Sequence, residues 1–191
     1  MFIQTEDTPN PNTLKFIPGV KVLDEGTFEF KNKDSSKVSN LANLIFLIDG
    51  IDRVFLATEF VSVTKKNDSD WQILKPLILT AIMDHYASGK EVIDKNQNNT
   101  DESTDEDTEV VKQIKELIDQ RVRPAVAMDG GDISFCSFED GVVTLQMKGA
   151  CAGCPSSTAT LKMGIENMLR HYIPEVVEVK AAEMWDLKIK P

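Results

Sequence analysis

Residues 89–109 read GKEVIDKNQNNTDESTDEDTE, and this stretch limits what the chain can fold into more than any other feature. It carries 8 acids against 2 bases and has no apolar residue after Ile93. Such a segment cannot bury enough surface to offset the entropy of ordering it. It reads as a flexible acidic linker, with an acidic docking strip for a basic partner as the alternative. In a chain of 191 residues, a linker there rules out one continuous core and leaves two small domains, 1–88 and 110–191. At 41% hydrophobic residues overall, the chain has the material for both cores.

The linker also explains the charge. Of a net −10, it holds −6, residues 1–88 hold −3 and residues 110–191 hold −1. Neither domain has the basic surface that phosphate neutralisation requires, so neither nucleic acid nor an anionic membrane surface is an expected partner. The densest apolar stretch, Leu41 to Ile48, is far short of the ~20 residues that span a bilayer. The opening MFIQTEDTPN has neither the basic and apolar regions of a signal peptide nor the arginines of a transit peptide. A bacterial cytoplasm is therefore the expected location, with a processed organellar form less favoured. Three cysteines are too few, and oddly numbered, for a disulfide framework, which fits a compartment that keeps thiols reduced.

Both halves have α+β patterning. In the first, Phe2–Thr5, Thr13–Ile17, Thr27–Lys31, Arg53–Leu56 and Phe60–Lys65 read as strands. Leu41, Leu44, Ile45 and Ile48 have helical spacing. So do Leu74, Leu77, Ile78, Ala81, Ile82 and His85, a stripe read as core packing, in a helix that ends at Gly89 and has Pro76 in its first turn. In the second half a helical stripe from Val110 to Val122 stops at Arg123-Pro124. Asp129-Gly130-Gly131-Asp132 is a turn, followed by strands Ile133–Phe138 and Val142–Lys148 joined at Asp140-Gly141. A helix from about Leu161 to Tyr172 and a strand around Val176–Val179 complete an αββαβ unit with its helices on one sheet face.

Between the second strand and the last helix lies Gly149-Ala150-Cys151-Ala152-Gly153-Cys154-Pro155. A C-x-x-C on a glycine-containing loop lets both sulfurs face one centre. A following helix start favours the thiolate, as does Lys148. Three chemistries fit: a redox pair, half of a zinc site and half of an iron–sulfur site. A zinc site or a [4Fe–4S] cluster needs four ligands, and one chain supplies two in a suitable motif. Cys136 sits within a strand and reads as a small packing residue. His85 and His171 lie on helices and read as structural. Four ligands then require two chains related by a two-fold axis, and a shared metal or cluster ranks above a redox pair.

RPAVAMDGGDISF and GVVTLQMKGACAGCPSSTATLKMGIENMLRHYIPEVVEV closely resemble the C-terminal domain of NifU, the Nfu domain. FIQTEDTPNPNTLKFIPG, DGIDRVFLATEFVSVTKK and WQILKPLILTAIMDHYASG resemble the companion domain of two-domain Nfu proteins. Ala57-Thr58 departs from that pattern, where a glycine-containing turn is expected. The resemblance implies an iron–sulfur cluster carrier and not an enzyme. It implies a [4Fe–4S] cluster, with a [2Fe–2S] form left open, held by Cys151 and Cys154 of two subunits. It also implies an upstream cluster donor or scaffold, apo iron–sulfur client proteins that receive the cluster, and a homodimer in the cluster-bound state. A thiol–disulfide oxidoreductase using the same pair is the alternative, although the thioredoxin-like aromatic-CGPC sequence is absent.

Overall fold

The computed structural model describes residues 2–94, 108–152 and 155–182, the side chains of residues 155–157 excepted. The linker expectation over residues 95–107 lies outside the described residues, as does Cys154. The chain divides into two compact units, Met1–Glu102 and Ser103–Pro191. No helix among the described residues is long and apolar enough to cross a membrane.

The first unit contains β1 (Gln4–Asp7), β2 (Thr13–Ile17), β3 (Phe28–Phe30), α1 (Asn40–Ile45), β4 (Ile51–Leu56), β5 (Val61–Lys65) and α2 (Trp71–Ser88). The strands form one antiparallel sheet in the order β1-β2-β5-β4-β3. Strand alternation puts Leu14, Phe16, Val54, Leu56, Val61 and Val63 on the core side. Leu41 and Ile45 from α1 and Leu74, Ile78 and Ile82 from α2 close that core, whereas Leu77, expected in the same stripe, lies outside it and is exposed. Ser39 caps α1 by accepting from the Ala42 N–H, and Asp70 caps α2 by accepting from the Gln72 N–H. Gly89 ends α2 at φ 67, a left-handed conformation that glycine takes without strain.

Three features of this unit differ from the sequence expectation. Helix α2 starts at Trp71, so Pro76 stands in its second turn and not its first. The β4–β5 connection needs no glycine, because among the described residues the only non-glycine with positive φ is Asp140, in the other unit. The turn is closed instead by the Ala57 N–H donating to the Phe60 carbonyl, 3.0 Å away. The start of the acidic segment is also held on the unit. The Ser39 hydroxyl donates to the Val92 carbonyl, the Asn40 amide to the Glu91 carbonyl and the Asp94 N–H to the Val38 carbonyl.

The second unit runs α3 (Glu109–Leu117), a π-helical turn (Ile118–Val122), α4 (Arg123–Met128), β6 (Gly131–Glu139), β7 (Val142–Gly149), α5 (Pro155–Tyr172) and β8 (Glu178–Ala181). The sheet order is β6-β7-β8, with β6 and β7 antiparallel and β7 and β8 parallel. Asp140 (φ 50) and Gly141 (φ 80) form the two-residue hairpin expected of Asp-Gly. Ile133, Val143, Leu145 and Val179 from the sheet pack with Ile114, Ile118, Val122, Val126, Ile165 and Leu169 from the helices. This is the anticipated α+β layer.

Arg123-Pro124 does not stop the first helix. The Arg123 N–H donates to the Ile118 carbonyl five residues back, and this wider turn absorbs the lost proline donor. The helix therefore continues to Met128, which brings Arg123 over the start of β6.

Candidate functional site

The cysteine loop is built at the shared end of β6 and β7. Gly131 pairs with Gly149 across the ladder, and Asp132 pairs with Lys148. Gly149 has φ 62 and turns the chain out of β7. The Ala150 N–H then donates to the Gly130 carbonyl at 3.1 Å, and the Ala152 N–H to the Gly149 carbonyl at 3.1 Å. From α5, the Thr158 hydroxyl donates to the Cys151 carbonyl at 3.3 Å. These bonds tie the loop to the Asp129–Asp132 turn on one side and to the start of α5 on the other.

Cys151 is 7% exposed and belongs to the hydrophobic core of its unit. Its Sγ lies over Gly131, so close that a Cβ on residue 131 would stand 2.5 Å from it. Burial, then Asp129 and Asp132, push the Cys151 thiol up to about 12. This corrects the expectation of a thiolate favoured by Lys148 and the helix start: desolvation outweighs both in this conformation. The folded chain thus binds this proton more tightly than the unfolded chain does. The associated stability is present below the ordinary thiol value of 9.0 and is lost as pH rises toward about 12. A metal or cluster that takes this sulfur must displace its proton.

Cys136 is the reverse case. It is exposed, against the expectation of a packing residue. Phe135 pairs with Leu145 and Ser137 with Thr144, so Cys136 is the extra residue of a β-bulge. Ile133 and Phe135 pack on the core, so strand alternation turns Cys136 to the opposite face, and the bulge shifts the register after it so that Phe138 returns to the core. Iodoacetamide at pH 8 is therefore expected to label Cys136 at least ~10-fold faster than Cys151, read by mass spectrometry of peptides after a time course. Equal rates would contradict the buried, protonated thiol.

Beneath the loop is an ion pair that the sequence reading passed over. Arg123 Nε donates to Asp132 Oδ1 at 2.9 Å and Nη2 donates to Oδ2 at 3.1 Å, a bidentate pair. Nη1 donates to Asp119 at 3.2 Å. The Asp132 side chain is 6% exposed and that of Arg123 is 40% exposed. A spacing of nine residues between an arginine after a helix and the second aspartate of D-G-G-D was the available signal. Arg123→Gln removes the bidentate partner of a buried carboxylate. Because water reaches the guanidinium, the expected loss is about 2–3 kcal/mol, at or below the low end for a broken buried pair. Adding Asp132→Asn should recover part of it in a denaturation cycle. Strict additivity of the two substitutions would show that the pair is not coupled.

His171 stands apart from the loop. His171 is sixteen residues beyond the start of α5, roughly 24 Å along the helix, and packs edge-on against Tyr172. His85 is fully buried in the first unit beside Tyr86. Burial pulls its pKa down, and neither ring nitrogen has a hydrogen-bond partner among the described residues. Among those residues no three His, Cys, Asp or Glu side chains converge on a possible metal position.

Two families match the chain: residues 3–89 match the family described as scaffold protein Nfu/NifU N terminal, and residues 114–180 match the NifU-like domain. The human NFU1 iron-sulfur cluster scaffold homolog, a mitochondrial protein, is 50% identical over 181 residues, covering 94% of this chain and 71% of that protein. The chain belongs to the Nfu family. Among other Nfu relatives, mitochondrial NifU-like protein 4 of Arabidopsis thaliana is 51% identical over 185 residues, covering 94% of this chain and 65% of its own. The mitochondrial NFU1 scaffold homolog of Drosophila persimilis is 48% identical over 182 residues, 94% of this chain. The chain spans 64% of the length of that Drosophila relative.

These Nfu relatives are mitochondrial, which overturns the expectation of a bacterial cytoplasm. That expectation rested on the composition of the first residues, which carries no information about where such a protein works. The human and Drosophila relatives are named as iron-sulfur cluster scaffold homologs.

Proposed function

We propose that this chain carries a [4Fe–4S] cluster between the Cys151 and Cys154 pairs of two subunits and delivers it to apo iron–sulfur client proteins. The observation that carries the reading is the cysteine loop at the start of α5, in a chain homologous to NFU1 iron–sulfur cluster scaffolds. With three cysteines in the whole chain, one of them exposed on a β-bulge outside the motif, four thiolates require a second subunit. The amides at the start of an 18-residue helix favour the negative charge of a thiolate-held cluster.

A cluster held by two ligands per chain is cargo. Exchange of thiolates with a client that has its own cysteines, or separation of the subunits, releases it. The buried Cys151 thiol supports this direction of travel, because reprotonation of the sulfur favours return to the core once the cluster leaves. The same burial weighs against a thiol–disulfide oxidoreductase, which needs an accessible thiolate nucleophile. The test is anaerobic mixing of loaded protein with an apo ferredoxin-type client in the presence of an iron chelator. The cluster signal should pass to the client without passing through the chelator. Transfer no faster than from free iron and sulfide, or insulin reduction by cluster-free protein, would contradict the proposal.

A further inference from the structure

Helix α2 is apolar on two opposite sides. One side gives Leu74, Ile78 and Ile82 to the core. On the other, Ile73, Pro76, Leu77, Thr80, Met83 and Ala87 are all exposed. At 100° per residue they share a stripe roughly 120° wide. A surface helix ordinarily carries its charges on this side. Here Asp84 is the single charged residue within the stripe, while Ile73 is 66%, Leu77 48% and Met83 48% exposed. The stripe's one hydroxyl is already satisfied, since Thr80 donates to the Pro76 carbonyl at 3.0 Å.

We propose that this face of α2 packs antiparallel against α2 of a second copy of the chain. The stripe is close to symmetric about Thr80: Ile73 and Ala87 stand seven residues to either side, and Leu77 and Met83 three. A two-fold axis through Thr80 therefore sets Ile73 against the partner's Ala87 and Leu77 against the partner's Met83. Asp84 falls at the level of the partner's Pro76, so no like charges are opposed. At each end Asp70 stands level with the partner's Lys90, and the antiparallel arrangement opposes the two helix dipoles. The area is roughly 300–400 Å² per copy, against ~800 Å² in a standard stable interface. The contact is thus weak by itself and strengthens when two chains are already held together. It uses no residue assigned to the cluster, so it goes beyond that reading and stands or falls separately from it.

The test uses the full chain with Cys136, Cys151 and Cys154 all changed to Ser, which removes cluster bridging and native disulfides. Sedimentation equilibrium between about 10 and 500 μM should show the mass rising toward twice the monomer, as a weak isologous contact requires. Leu77→Glu with Met83→Glu should hold it at the monomer over the same range. These are exposed positions, so circular dichroism should report an unchanged fold. Thr80→Cys in that background should oxidise to a crosslinked dimer at least ~10-fold faster than Asp52→Cys, since it lies on the axis. A monomer at every concentration overturns the proposal and leaves the stripe to a different protein. A dimer insensitive to the two glutamates places the contact elsewhere and overturns it equally.

Discussion

Anaerobic reconstitution of Cys151→Ser is expected to yield colourless protein with essentially no bound iron or sulfide, and Cys154→Ser the same. Serine preserves the shape of cysteine but offers a hard, weakly acidic oxygen in place of a soft thiolate, and a [4Fe–4S] cluster selects the thiolate. With two ligands per chain, one substitution removes two of the four in the dimer, so the loss should be nearly complete. Cys136→Ser should leave iron content unchanged, because that residue is exposed on the β6 bulge outside the motif. Retention of a cluster by Cys151→Ser, or its loss in Cys136→Ser, would show that the ligands are assigned wrongly. The Cys151→Ser variant also separates cargo from fold. It removes a buried sulfur from the core, and the expected cost of about 1 kcal/mol or more in denaturation should appear with or without iron.

Gly131→Ala should be the most damaging change that replaces no proposed ligand. A Cβ there would stand 2.5 Å from Cys151 Sγ, 2.8 Å from the Lys148 carbonyl oxygen and 3.0 Å from the Cys151 nitrogen. Two of these three atoms are backbone, so no rotamer change relieves the contact. Either β6 separates from β7 at Gly131–Gly149, or the cysteine loop moves outward. Forcing a methyl into such a site costs about 1–3 kcal/mol, and the displaced loop should also lower cluster occupancy. Gly131 does not have positive φ, so the effect isolates the contact from backbone strain. Gly164→Ala is the control: it lies inside α5 with nothing within 4 Å of its Cβ position, and it should stabilise by about 0.5–1 kcal/mol. Thermal denaturation of the apo variants, followed by iron analysis after reconstitution, separates the two outcomes. Full cluster occupancy in a destabilised Gly131→Ala chain would show that the loop does not need its present seat.

What was legible in the residues was whatever local chemistry decides. Gly89 announced the end of α2, and Asp140-Gly141 the hairpin. What was hidden depended on spacing in three dimensions. Pro124 reads as a helix stop, yet a π-helical turn lets the helix pass and carries Arg123 to Asp132. Cys136 reads as packing, yet it stands on the face of β6 opposite Ile133 and Phe135 and is exposed. Cys151 reads as a thiolate beside a helix start, yet its sulfur lies in the core over Gly131. In each case the surrounding fold outweighs the local preference. The motif is the place where the sequence concentrates its candidate chemistry, and the structure changes the state expected of its first sulfur.

The most direct measurement is iron, sulfide and molecular mass on one sample of the anaerobically reconstituted chain, held near 10 μM so that the weak α2 contact adds little. The account predicts about four irons and four sulfides per dimer, with apo protein monomeric at that concentration and the dimer appearing in step with the cluster. A cluster on a monomer, or a colourless protein with stoichiometric zinc, would contradict it.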